Sequence, residues 1–273
     1  MTWTSLLPVW ARALETRRPR PLFTDPFADR FLTAYAGELG TLPHLGVETS
    51  PLWEAVFYGV TMRTAYFDAA VQRSSAPQVV VLGAGLDTRA YRLGLPPGVT
   101  VFEVDRAATL DFKERVLADE QPTCRRVPVV AELGADDLTG LLKSAGFDHR
   151  LPTVWLAEAL LFYLTQSQAE ALLEEMSGLS APGSVLLGEV FDRPYRENDL
   201  PVEAMDDTDA ATWRQFVTAF RTSPSVPVPA AWLATHGWTA IEVTDQVGLG
   251  KTFGREAPSF YERARDWIFE GRR

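Results

Sequence analysis

The run Gln78-Val-Val-Val-Leu-Gly83-Ala-Gly85 constrains this chain more than any other stretch. A continuous apolar, β-branched run without polar alternation predicts a strand buried on both faces. Such strands belong to parallel sheets with helices packed on either side. The pattern recurs downstream: strands are expected at 99–104, 126–131, 153–157 and 184–190, with helices at 107–118 and 167–179 between them. Strand, helix, strand in alternation predicts an α/β fold with a doubly wound, mostly parallel sheet. Plausible sixth and seventh strands at 239–245 and 266–270 make that sheet seven-stranded.

The flanking segments read differently. Residues 1–75 are expected to be helical. A fragment at 11–17 is ended by Pro19 and Pro21, and 26–35 spaces Phe27, Phe31, Leu32 and Tyr35 at the helical period. Between 53 and 71 a longer helix has Val56, Phe57, Val60, Tyr66 and Phe67 as its candidate buried side. After the fifth strand, Asp206, Asp207 and Asp209 precede an amphipathic stretch at 213–220 and read as helix N-terminal acids. Another helix is expected at 229–235, stopped by Gly237. The segment 191–236 is long enough to cap the sheet's carboxyl edge. The chain is thus read as a single domain: helices over 1–75, a ligand-binding core over 76–190, the cap over 191–236, and the last strands over 237–273.

Composition excludes several classes. With 26 Lys+Arg against 36 Asp+Glu the net charge is −10, which argues against nucleic acid or an anionic membrane as partner. The best basic run, Arg17-Arg18-Pro19-Arg20, is too short to change that. A lone Cys124 rules out an intramolecular disulfide or a thiolate cluster. His44, His149 and His236 are too far apart to make a spaced metal motif, so no metal is expected. No apolar run is long enough to span a bilayer, and the first residues lack a basic segment followed by an apolar one. The expectation is a cytoplasmic globular protein.

Gly83 and Gly85 permit a tight turn and close approach of a ligand at the carboxyl end of the first strand. An acid at the end of the second strand, about twenty positions on, is where ribose hydroxyls are recognised. Glu103 and Asp105 compete for that role, and as i and i+2 they share one face of the strand. Asp105, at the strand's exit, is favoured. A dinucleotide fingerprint wants a third glycine where Thr88 stands, and Asp87 would set negative charge beside a pyrophosphate. The pair suits a ligand with a cationic end, such as S-adenosylmethionine. No Walker sequence occurs.

These residues carry a resemblance. The stretch Val79-Val-Val-Leu-Gly-Ala-Gly-Leu-Asp-Thr-Arg-Ala-Tyr-Arg-Leu93 resembles the first motif of the leucine carboxyl methyltransferase family, which uses S-adenosylmethionine on a class I methyltransferase fold. Phe102-Glu-Val-Asp105 is similar to its second motif, and Leu156-Ala-Glu-Ala-Leu-Leu-Phe-Tyr-Leu164 to its fourth-strand motif. Segments at 11–17, 21–28 and 63–68 also look like bacterial members, including the tetracenomycin-type polyketide carboxyl methyltransferases. The resemblance implies that Arg63 binds the cofactor's methionine carboxylate. Gly83, Gly85 and Asp87 would contact its methionyl and ribosyl parts, and Asp105 the ribose hydroxyls. It implies further that Glu158 faces the amino end, while Tyr163 stands near the methyl group and orients the acceptor. Glu132 and Leu133 occupy the adenine-side position, where Gly134 replaces the family's usual arginine. Ala159 stands where the family commonly has glycine.

Methyl transfer to a carboxylate needs no base, because the acceptor is already ionised at neutral pH. A phenol or alcohol would want one, and His236 is the sequence's candidate. Arg193, Tyr195, Trp213, Phe216 and Trp232 offer one cation and several aromatic faces for a small, flat or hydrophobic acid. Ester and ether products both stay open here, as do a nicotinamide or sugar-nucleotide enzyme and a non-catalytic S-adenosylmethionine-binding protein.

Overall fold

The computed structural model describes residues 3–38 and 50–273; His44 lies outside them. Helix α1 (Leu7–Thr16) carries Pro8 in its first turn, where a missing N–H costs no hydrogen bond. Helix α2 spans Ala28–Glu38, and α3 (Pro51–Arg73) again opens on a proline. The alternating core then follows as β1 (Gln78–Leu82), α4 (Arg89–Arg92), β2 (Thr100–Asp105), α5 (Ala107–Val116), β3 (Arg125–Val130), α6 (Leu138–Ser144), β4 (Thr153–Ala157), α7 (Gln166–Gly178) and β5 (Val185–Phe191). The chain continues through α8 (Asp207–Ala219), α9 (Pro229–Thr235), β6 (Thr239–Asp245), α10 (Gln246–Phe253), α11 (Phe260–Arg263) and β7 (Asp266–Arg272).

All seven strands join one sheet in the order β3-β2-β1-β4-β5-β7-β6. The five strands of the core pair in parallel, while β7 runs antiparallel between β5 and β6. Strand order reverses at β1, whose neighbours are β2 and β4. A parallel sheet opens a crevice at the carboxyl ends of its strands where the order reverses. Pro128 is tolerated in β3 because that strand is an edge.

The alternation of a strand's side chains divides the core in two. Val79 and Val81 point into a cluster with Val9, Trp53 and Phe67 of the N-terminal helices. Val80 and Leu82 point the other way, against Leu142, Leu173 and Leu233. The expected cap over 191–236 is divided by this partition. Helix α8 puts Trp213 and Phe216 into the first cluster, and Asp206 caps it by accepting from the Asp209 N–H at 2.8 Å. Helix α9 lies on the opposite face, where Leu233 packs beneath Trp238 and Phe269, with Trp232 beside them. A short turn through Gly237 (φ 78°) joins α9 to β6 on this face. Helix α10 was not anticipated, since Gly248 and Gly250 argue against a helix on propensity. Asp245 caps it at 2.8 Å, and a side chain at 250 would collide with the Tyr58 hydroxyl. Among the described residues no helix is long and apolar enough to cross a membrane.

Candidate functional site

The turn after β1 is built as its glycines require. Gly83 (φ 63°) and Gly85 (φ 49°) both lie in the left-handed region, and a Cβ at 83 would sit 3.2 Å from a Leu160 methyl. Asp105, leaving β2, accepts from the Gly85 N–H at 2.7 Å and from its neighbour Arg106 N–H at 2.7 Å. The two strand ends are thereby tied across a cavity of about 560 Å3. Its walls include Gly83, Gly85, Asp87, Asp105, Glu132, Leu133, Glu158 and Tyr163, with Arg63 and Arg89 between them. Helix α1 covers one side with Pro8, Val9 and Arg12.

A chain of buried charges runs along one wall. Arg89 donates to Asp68 at 2.7 Å, pairs with Asp87, and lies 2.7 Å from Glu158. Arg63 lies 3.3 Å from Glu158 and 3.1 Å from Glu189. Burial alone would raise the Asp87 carboxyl, yet Arg89 together with Lys113 and Arg92 holds it well below the ordinary aspartate range. Glu158 is likewise lowered: burial opposes ionisation, and Arg89 and Arg63 outweigh it. Burial wins at Glu189, which is raised despite Arg63. Arg89 Nη2 is buried without a hydrogen-bond partner, and Arg63 Nε has only its 3.3 Å ion pair with Glu158. An orphaned cationic donor beside a glycine turn fits an anionic group such as the carboxylate of S-adenosylmethionine.

A second, smaller cavity of about 120 Å3 adjoins the first and is walled by aromatic residues. Phe162 stacks on Phe191 with ring centroids 4.8 Å apart, and Phe191 meets Tyr195 at 4.3 Å. Trp213, Phe216, Phe220, Phe260 and Tyr261 complete the enclosure. Pro8, Arg63, Ala159 and Tyr163 line both cavities, so Arg63 is the one charged side chain common to the two. Ala159 has φ 53° and is the sole non-glycine at positive φ among the described residues. The Glu189 carboxylate accepts its N–H at 2.6 Å and fixes that backbone. A glycine would take this conformation without strain.

Several expected residues do not reach either cavity. Glu103 shares Asp105's face of the strand but is buried one step below the edge. Lys113 and Arg126 each donate to it at 2.7 Å, making it a structural anion. Arg193 is held by Asp199 at 2.8 and 2.7 Å and also donates to the carbonyls of Pro194 and Arg263. Its fork is therefore occupied by protein. Trp232 lies across the sheet, and His236 Nδ1 contacts the Trp232 carbonyl at 2.8 Å. Tyr195 and Trp213 do line the second cavity. Sequence reasoning missed Arg89, although it stands inside the quoted Val79–Leu93 stretch. It also missed Glu189, an acid inside an otherwise apolar strand and so a detectable signal. Asp266, Gln246 and Tyr261 carried none.

A mostly parallel seven-stranded sheet, a glycine turn after β1 and an acid closing β2 define a class I, Rossmann-like methyltransferase fold. The solved structure of a DUF574 family protein from Streptomyces avermitilis shares it, with TM-score 0.58 at 12% identity over 99% of this chain and 97% of that one. The sequence profile described as leucine carboxyl methyltransferase matches residues 5–177. A protein of Mycobacterium avium named "Putative S-adenosyl-L-methionine-dependent methyltransferase" is 38% identical over 263 residues, 94% of this chain and 86% of its own length. A Streptomyces avermitilis protein with a similar name is 39% identical over 236 residues, 84% and 80% of the two chains. The chain belongs to the leucine carboxyl methyltransferase family and is an S-adenosylmethionine-dependent methyltransferase.

Proposed function

We propose that the methyl group is delivered to an oxygen, and that this oxygen belongs to the carboxylate of a small aromatic or apolar acid. The observation that supports this reading is the junction of the two cavities. A charged cavity and an aromatic one meet at Arg63, Ala159 and Tyr163, and no histidine among the described residues lines either. S-adenosylmethionine, when bound in the first cavity, supplies a methyl group on a sulfonium whose thioether is a good leaving group. Arg63 and Arg89 would hold its carboxylate and Glu158 its ammonium. Gly83, Gly85 and Asp87 would follow the methionyl and ribosyl parts, Asp105 would accept from the ribose hydroxyls, and Glu132 and Leu133 would flank adenine.

For a carboxylate acceptor, an oxygen lone pair forms the new C–O bond as the C–S bond breaks, and no proton moves. The chain's task is then to bind, to orient and to exclude water. The aromatic walls do the last of these, Arg63 draws the anionic acceptor toward the junction, and Tyr163 positions it. Tailoring of a polyketide-like acid is part of this reading on the family resemblance alone, and a cytoplasmic location on the composition of the sequence.

Methyl-labelled S-adenosylmethionine incubated with aromatic carboxylic acids and phenols tests it. Label released by alkali as methanol is expected for an ester. Alkali-stable label would replace this reading with phenol methylation. Binding of S-adenosylhomocysteine without transfer to any acceptor would instead mark a non-catalytic member.

A further inference from the structure

The aromatic cavity has a polar wall that the cofactor cavity does not share, formed by Asp266, Tyr195 and Gln246. The Tyr195 hydroxyl lies 2.8 Å from both oxygens of Asp266. Its single proton leaves most of the acceptor capacity of that carboxyl unused. No arginine or lysine among the described residues pairs with Asp266. Gln246 is 1% exposed, and its Oε1 is buried without a partner. The neighbouring donors are already committed: Tyr261 donates to the Ala55 carbonyl at 2.9 Å and Trp213 Nε1 to the Glu197 carbonyl at 2.8 Å. An apolar enclosure thus ends in a glutamine oxygen without a donor, beside a carboxyl held by a single tyrosine hydroxyl, and the unpaired oxygen costs free energy unless a ligand supplies the missing proton.

We propose that this wall binds a hydroxyl group of the methyl acceptor, so that the substrate is a hydroxylated aromatic acid held by Asp266, Tyr195 and Gln246. The inference rests on reading the aromatic cavity as the acceptor site. A hydroxyl is the group that fits, because it both donates and accepts. It therefore complements Gln246 and also Asp266, whose carboxyl keeps its proton to higher pH because burial, with Glu189 and Asp192 nearby, outweighs the Tyr195 hydrogen bond and the Arg63 charge. An ammonium would require the acid ionised, and a second carboxylate would meet like charge.

Four probes separate the two ends of the site: 3-(4-hydroxyphenyl)propanoate, 3-phenylpropanoate, 4-propylphenol and propylbenzene. Their affinities are measured by calorimetry on protein saturated with S-adenosylhomocysteine. Each hydroxylated probe is expected to bind about tenfold more tightly than its partner lacking the hydroxyl. Asp266→Leu is expected to cancel that ratio without weakening the non-hydroxylated probes. Gln246→Leu, which leaves the Tyr195 contact in place, is expected to cut it to about threefold, and it decides the matter if the first variant does not fold. Ratios within about twofold in the wild type, including no binding by either hydroxylated probe, overturn the proposal; so does a ratio unchanged in the variants. A hydroxyl advantage without any carboxylate advantage supports it and removes the carboxylate reading instead.

Discussion

The two cavities treat their aspartates in opposite ways. Asp87, in the cofactor cavity, is largely buried, yet flanking arginines hold it ionised. Asp266, in the acceptor cavity, has a tyrosine in place of a cation, and burial pushes its carboxyl well above the ordinary range. One cavity is a dense lattice of opposite charges into which a zwitterion can be exchanged. The other is an aromatic box with a neutral polar end. The difference shows that burial does not set protonation; the partner does.

Arg63, the charged side chain common to both, gives the sharpest way to break the comparison. Arg63→Met leaves Glu158 and Glu189 buried without their shared cation. S-adenosylhomocysteine affinity is expected to fall by about a hundredfold or more, and stability by about 3–5 kcal/mol, read by calorimetry and by denaturant unfolding. Next comes a contrast within β2. Glu103→Ala should cost about 3 kcal/mol of stability by stranding Lys113 and Arg126, with cofactor affinity of the folded protein unchanged. Asp105→Ala should do the reverse, weakening S-adenosylhomocysteine about tenfold with a smaller loss of stability.

Stability measured against pH separates the two aspartates directly. Above about pH 4 the unfolded chain releases the Asp266 proton while the native state retains it. The contribution of Asp266 is therefore fully present below that pH and is lost as pH rises through its raised native value. Compared with Asp266→Asn, the wild type should lose ground as pH increases from about 4. Asp87 has the opposite sign, its native value being lowered. Its advantage over Asp87→Asn should be present above about pH 4 and disappear on acidification. Parallel slopes for the two variants would erase the distinction drawn here. The smallest effect belongs to Ala159→Gly, which relieves the left-handed φ and should stabilise by about 0.5–1 kcal/mol, visible as a small rise in melting temperature.

The same division governed what could be read from sequence. The cofactor cavity is assembled mainly from residues at or just past strand ends in order: Gly83, Gly85 and Asp87 after β1, Asp105 closing β2, Glu132 after β3, Glu158 after β4. Strand periodicity locates those ends, so their convergence follows from a parallel sheet. Glu103 was misread because facing direction is legible in a strand while depth is not. Its partners stand on α5 and β3, 10 and 23 residues away. Arg193 was misread because an acid only six residues on, Asp199, satisfies its fork. The acceptor cavity draws on α1, α3, α8, α10, α11 and β7, whose convergence no local pattern announces. Aromatic enrichment pointed to Tyr195 and Trp213, but equally to Trp232 on the far side of the sheet.

The antiparallel β7 has a consequence for how the protein comes into being. Chains are made from the amino end, and early segments can begin to fold first. The strand ends around the cofactor are all synthesised by Leu164, whereas Asp266 and the strand that slots between β5 and β6 emerge about a hundred residues later. A ribosome pausing in that interval would hold a nascent chain with the strand ends around the first cavity already made and the polar wall of the second still missing.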